Sequence, residues 1–117
     1  MMTTAEVIQL LGLEPHPVEG GYFRRTYTSP GTVDLPRGTR AHGTAIYYLL
    51  EVGTFSEMHV LDSDETFHFY LGDPVEMLQL HPDGRSALCT LGPDLAAGQR
   101  RQNGSARMHR DAGLRFR

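Results

Sequence analysis

Lysine is absent from this sequence of 117 residues, cysteine occurs once, and long hydrophobic runs are missing. Because Cys89 has no second cysteine, an internal disulfide and a multi-cysteine zinc site are both excluded. No apolar run approaches the roughly 20 residues of a membrane-spanning helix, and no basic-then-apolar signal segment opens the chain. These absences predict a cytoplasmic protein with no membrane partner.

The basic residues are unevenly distributed. Six of the 11 arginines lie in the last 18 residues, which hold one acidic residue, Asp111. A basic segment on an acidic body can bind nucleic acid, but this one lacks interleaved aromatic residues and a recognisable motif. It also lacks strand alternation. We therefore predict a folded domain over residues 1–99, an irregular basic tail over residues 100–117, and no nucleic-acid partner.

The order of local patterns predicts one short helix followed by strands. Thr3 and Glu6 form a capping box, an apolar stripe predicts a helix over about residues 4–11, and Gly12 ends it. Residues 31–43 are rich in Gly, Pro and Arg and are predicted to form a loop. Short β-type runs separated by turns are typical of an all-β sandwich or barrel. They cover residues 21–27, 44–50, 55–61, 66–71, 75–80 and 85–90.

The candidate site lies between Gly53 and Gly72, where His59 and Glu65 flank an Asp-Ser-Asp turn. Strand alternation places Glu65 and Phe67 on one face, with His68 and Tyr70 on the other. His59 and Glu65 are thus expected to converge in the interior beside aromatic walls.

Three interpretations of this pair stay open. A divalent metal is one, with His59, Glu65 and His68 as ligands. An organic-ligand pocket is the second, in which His59 and Glu65 form hydrogen bonds or transfer protons. A satisfied interior pair without a ligand is the third. The pocket is favoured because two polar residues among aromatic ones resemble a ligand site, so no cofactor is predicted with certainty.

Other side chains can contribute to the same pocket. Tyr22, Arg24 and Tyr48 can present hydroxyls and a guanidinium to an anionic or sugar-like ligand, although tyrosines in strands more often pack as walls. Three other histidines lie in turn-like segments and are expected to be solvated: His16, His42 and His81.

A family resemblance becomes visible once these residues are in place. The spacing of Gly53, His59, Glu65 and Gly72 resembles the first motif of the cupin superfamily. Several further blocks, in order, are similar to the cupin group called Cupin_5, a domain of unknown function. They are Leu13–Arg24, Tyr27 with Ser29, Thr44–Leu50, Ser63–Pro74 and Leu91–Leu95. The resemblance covers about residues 8–99 and implies an RmlC-like jelly roll that is often a homodimer.

The chain departs from the pattern at two places. Leu61 stands where cupins place a second histidine, and residues after Gln99 lack the group's later Pro-Gln and Pro-x-Gly-x-Trp blocks. The C-terminal strands of the barrel are therefore expected to be missing or altered. The shape of the group implies a function like that of sugar-nucleotide epimerases, with His59 as the base and Tyr70 or Tyr48 returning the proton. The alternatives are a non-catalytic small-molecule-binding protein and a metal-dependent cupin enzyme.

Overall fold

A computed structural model describes residues 2–56, 59–60, 63–81, 83–105 and 110–116, with the backbone alone for residues 59–60, 104–105 and 110–116. The described part is rich in strands, in agreement with the predicted all-β class. Its helical elements are α1 (Thr4–Leu11) and a 3-10 turn, Leu95–Ala97. Its strands are β1 (Glu14–Pro15), β2 (Tyr22–Thr28), β3 (Thr32–Leu35), β4 (Gly38–Ala41), β5 (Thr44–Leu49), β6 (His59–Val60), β7 (Glu65–His68), β8 (Val75–Leu80), β9 (Ser86–Leu91), β10 (Gln102–Ser105) and β11 (Arg110–Phe116).

The chain divides into two compact units. The first comprises Met1–His16 and Tyr22–Leu49, and the second comprises Pro17–Gly21 and Leu50–Arg117. The predicted division at residue 99 stays a prediction.

Helix α1 has the bounds that the local sequence predicts. The Thr3 hydroxyl accepts a hydrogen bond from the backbone N–H of Glu6 at 3.2 Å, which caps the N-terminus. At the other end Gly12 has φ 65°, and the N–H groups of Gly12 and Leu13 bond to the carbonyls of Gln9 and Ile8. A left-handed residue with this bonding pattern is the Schellman stop, which glycine adopts without a Cβ penalty.

The first unit contains two antiparallel sheets. Strand β2 lies between β1 and β5, and β3 pairs with β4. The β3–β4 hairpin corrects the prediction of a loop over residues 31–43. The Thr39 hydroxyl donates to the Asp34 carboxylate at 2.8 Å across the hairpin. Gly38, the first residue of β4, has φ 115°. Pairing with the neighbouring strand thus stabilises a β conformation in residues whose composition is typical of a loop.

The second unit contains a four-stranded sheet in the order β6–β11–β8–β9 and a two-stranded sheet of β7 and β10. Strand β8 has its predicted bounds and carries the buried Met77 and Gln79. The turn between β8 and β9 also forms where it was predicted. The backbone carbonyl of His81 accepts from the Gly84 N–H at 3.0 Å, and the backbone N–H of His81 donates to the carbonyl of Arg85 at 2.8 Å. The backbone N–H and guanidinium of Arg85 lower the pKa of Asp83 in this turn.

The C-terminal segment differs from the irregular tail that its sequence predicts. Strand β10 pairs with β7, and β11 pairs with both β6 and β8. The paired residues lie 30 (Arg110 and Leu80) to 52 (Asp111 and His59) positions apart in the sequence, so the pairing satisfies backbone groups without a local alternating pattern. Within the described residues, none of the helices has the length and apolar character that a membrane span requires.

Candidate functional site

Strand β7 separates the predicted site residues onto two faces. Glu65 and Phe67 are half-buried, whereas Thr66 and His68 are exposed. The pairing with β10 runs from Glu65 opposite Ser105 to His68 opposite Gln102 without a register shift. Because no bulge interrupts the alternation, Glu65 and His68 lie on opposite faces and do not meet at one metal ion.

The half-buried face of β7 continues onto β10 through Asn103, which is opposite Phe67 and only 9% exposed. The Asn103 amide nitrogen donates to the Met77 sulfur at 3.5 Å, and the Gln79 amide nitrogen donates to the same sulfur at 3.4 Å. Met77 is fully buried. The buried faces of the two sheets of the second unit therefore meet at these three side chains, which we call the amide cluster.

The backbone register relates His59 to this cluster. His59 is paired with Asp111, and Asp111 is paired with Gln79, so the three residues form one row across β6, β11 and β8. The side chain of His59 lies outside the described part of the structure. The backbone of His59, the predicted base, nevertheless lies in the same cross-strand row as the buried residue Gln79.

The other face of β7 carries His68, and Tyr70 lies two residues beyond the end of the strand. The Gln102 amide nitrogen lies 3.2 Å from His68 Nδ1, and the rings of His68 and Tyr70 are 6.3 Å apart at an interplanar angle of 17°. An amide nitrogen donates, so this contact is a hydrogen bond in the tautomer whose Nδ1 carries no proton. Tyr70 is 69% exposed. These two residues thus belong to an outer surface and are separated from Glu65 and Phe67.

The remaining predicted ligand-binding residues lie in the first unit, on both faces of the β2–β5 ladder. Tyr22 and Arg24 share one face, while Tyr48 is opposite Phe23 on the other. His16 corrects an expectation, because it is half-buried instead of solvated. Its ring lies 4.9 Å from Phe23 and 6.0 Å from Tyr48. His16 follows β1 directly, and the pairing of β1 with β2 places it against these rings.

The two other histidines that were expected to be solvated differ from each other. His42 is exposed, as predicted, whereas His81 is half-buried at the β8–β9 turn. The backbone bonds of that turn hold His81 at the end of the sheet, which accounts for its partial burial.

Arg24 has a structural partner within the first unit. Its Nη1 donates to the carbonyl of Leu11 at 3.1 Å, where helix α1 ends. A cation at a helix C-terminus satisfies a free carbonyl and opposes the negative end of the helix dipole. This contact gives Arg24 a role in holding α1 that the sequence did not indicate.

We expect Arg24→Met to lower the free energy of unfolding by about 0.5–1 kcal/mol, because it keeps the aliphatic stem but removes the donor and the charge. Urea denaturation followed by circular dichroism measures the change. Arg25→Met is the matched control, since Arg25 is exposed and on the opposite face of β2. Equal effects of the two substitutions would argue against the capping role.

Cys89 is half-buried in β9, and burial raises the pKa of its thiol, although the charge of Arg100 acts in the opposite direction. A raised pKa leaves less of the reactive thiolate at neutral pH. The environment of Cys89 is therefore that of a packed apolar residue and not of a nucleophile.

Gln79 and Asn103 were not identified as site residues from the sequence. Gln79 offered a signal, because it stands two residues after Met77 and thus on the same face of β8, between Leu78 and Leu80. Asn103 offered none, since its burial depends on the pairing of β10 with β7. Among the side chains that the structure describes, no three His, Cys, Asp or Glu residues form a metal-binding group.

Comparison with known proteins agrees with the strand-rich fold. The sequence profile described as Cupin superfamily (DUF985) matches residues 5–105. The chain therefore belongs to the cupin superfamily, in the family Cupin_5, as its blocks of sequence predicted.

Two solved structures are similar over nearly the whole chain. A crystal structure of a protein from Shewanella oneidensis has a TM-score of 0.88 and 33% sequence identity, and the match covers 99% of this chain and 70% of the other. A hypothetical protein from Leishmania major has a TM-score of 0.89 and 28% identity over 97% of this chain and 70% of the other. No protein with a curated description matches. These similarities agree with the family assignment and do not indicate a chemical activity.

Proposed function

We propose that the protein binds a small organic ligand on the buried face of its second unit and acts on it as an isomerase or epimerase of a sugar-like carbonyl compound. The observation that supports this most is the amide cluster of Met77, Gln79 and Asn103, beside the half-buried Glu65 and Phe67. Polar groups that converge between apolar walls are the usual composition of a ligand site. The membership in the cupin family is consistent with this proposal, but fold alone does not imply function.

In this proposal His59 removes the proton next to the carbonyl group of the ligand, and the Glu65 carboxylate accepts hydrogen bonds from ligand hydroxyls. The backbone row from His59 to Gln79 supports the assignment of the base. We omit Tyr70 from the proton return, because its exposed ring stacks with His68 on the other face of the sheet. Assembly as a homodimer and a cytoplasmic location stay predictions.

The proposal predicts that the protein catalyses exchange of the carbon-bound proton next to a ketone. In a screen of deoxynucleotide sugars that carry a ketone, we expect incorporation of solvent deuterium into one such compound, measured by mass spectrometry in heavy water and compared with a boiled sample. Exchange would establish proton abstraction as the reaction. Binding of the same compound without exchange would favour the alternative of a non-catalytic small-molecule-binding protein.

A metal-dependent enzyme remains the third candidate, and it now requires ligands other than the full set of His59, Glu65 and His68. His68 lies on the other face of β7 from Glu65, with its Nδ1 engaged by Gln102. Deuterium exchange that persists in the presence of excess chelator would count against this candidate.

A further inference from the structure

We propose that the β8–β9 turn is a site of covalent backbone modification, at which Asp83 isomerises to isoaspartate through a succinimide formed with Gly84. This turn contains the one Asp-Gly pair of the sequence. Glycine after aspartate favours the reaction, because its backbone nitrogen has no neighbouring side chain to hinder the approaching carboxyl group. The inference goes beyond the proposed function and does not depend on it.

The side chain of Asp83 already folds back over the bond that reacts. Its Oδ1 accepts a hydrogen bond from the backbone N–H of Arg85 at 3.0 Å. An aspartate that accepts from the N–H two residues later forms an Asx turn. The hydrogen-bonded ring of this turn contains both the Asp83 carboxyl carbon and the Gly84 nitrogen. The electrophile and the nucleophile are therefore held in one compact loop of atoms.

The surroundings of the turn leave space for a succinimide ring. Gly84 has φ 90°, and a Cβ placed on it would meet no atom of the described residues within 4 Å. The side chain of Asp83 is 53% exposed. Water thus reaches the carboxyl group, and no packed neighbour opposes a change in the course of the main chain.

The reaction balances without an oxidant or a reductant. The Gly84 nitrogen forms a bond to Asp83 Cγ and loses its proton, while a carboxyl oxygen leaves as water. A second water then adds to the former main-chain carbonyl carbon of Asp83, and the bond from that carbon to the Gly84 nitrogen breaks. The chain afterwards runs through the side-chain carbonyl and contains one additional methylene. One water is released and one is consumed.

Arg85 restrains this reaction. Its Nε donates to Asp83 Oδ2 at 2.6 Å, in addition to the bond from its backbone N–H. The backbone N–H and then the guanidinium lower the pKa of the Asp83 carboxyl. An ionised carboxylate resists attack by nitrogen, because its carbon is electron-rich. The Gly84 N–H is itself donated to the His81 carbonyl at 3.0 Å. The rate of isomerisation therefore depends on the side chain of Arg85.

Asn103 and Gly104 provide an internal comparison. In an unfolded chain Asn-Gly forms a succinimide faster than Asp-Gly, because an uncharged amide is a better electrophile than a carboxylate. In the folded chain Asn103 is only 9% exposed, its Oδ1 accepts from Arg100, and its amide nitrogen donates to the Met77 sulfur. These contacts hold the amide in the interior. Folding is thus expected to reverse the order of reactivity of the two sites.

The test is incubation of the full chain in mildly acidic buffer, with and without urea, followed by peptide mapping. An isoaspartyl methyltransferase with radioactive methyl donor labels the isoaspartate. We expect the folded protein to be labelled mainly at residue 83 and the protein in urea mainly at residue 103. Arg85→Met is expected to raise the rate at Asp83 about threefold or more. Arg101→Met, which alters an exposed arginine elsewhere in the second unit, should leave that rate unchanged.

Two results would overturn the inference. One is a folded protein that carries no label at residue 83 or carries more at residue 103. The other is an equal rate in the Arg85 and Arg101 variants, with thermal denaturation confirming that both are folded. Asp83→Asn is a second variant, which keeps an acceptor oxygen but removes the charge. It should lose its amide faster than the parent isomerises, and a slower loss would equally contradict the proposed site.

Discussion

Replacement of Met77 by alanine is expected to lower the free energy of unfolding by about 2–5 kcal/mol. Met77 is fully buried, and its sulfur accepts hydrogen bonds from Gln79 and Asn103. Alanine leaves a cavity between the two sheets of the second unit and removes the acceptor of both amides. A loss of this size is a large share of the stability of a small domain. Urea denaturation followed by far-ultraviolet circular dichroism measures it.

Two controls separate the cavity from the lost acceptor. Met77→Leu keeps most of the volume but removes the sulfur, so we expect a smaller loss, of about 1 kcal/mol. Leu88→Ala shortens a side chain that is 65% exposed on the neighbouring strand, and we expect a change within about 0.5 kcal/mol. If Met77→Ala cost no more than Leu88→Ala, the two sheets would not be held together at this point.

Replacement of His59 by glutamine is expected to reduce deuterium exchange about 10²–10⁴-fold, the usual contribution of a general base. Glutamine keeps hydrogen-bonding capacity and similar size but transfers no proton at neutral pH. The backbone pairing of His59 with Asp111 does not depend on the imidazole, so the fold should persist. Exchange rates from mass spectrometry, with the melting temperature as a check on folding, measure the effect.

His42→Gln is the matched control for this substitution. His42 is exposed and lies in the first unit, so the exchange rate should not change. Full exchange by the His59 variant would mean that another group takes the proton. The row of His59, Asp111 and Gln79 would then describe sheet register and nothing of the reaction.

Elements that are specified by neighbouring residues could be predicted from the sequence. Helix α1 is one case, because its cap at Thr3 and its stop at Gly12 act within a few residues. The alternation along β7 is another, since a period of two needs only an uninterrupted strand. The family could also be predicted, because its blocks of sequence are preserved in order.

Features that depend on distant partners could not be predicted. Strands β10 and β11 have no alternating pattern of their own and are defined by pairing with β7, β6 and β8. The meeting of Gln79 and Asn103 depends on how two sheets pack. The sequence therefore indicated that Glu65 and Phe67 share one face of β7 but not which amides lie against that face.

The contact of Arg100 with Asn103 has a consequence for how the protein can vary. Arg100 is exposed, a location where most proteins accept substitution freely, yet its guanidinium determines which way an interior amide faces. A glutamate at this position would attract the Asn103 nitrogen and turn the oxygen inward. A substitution at one solvent-facing position would thereby change the polarity that the interior amide presents.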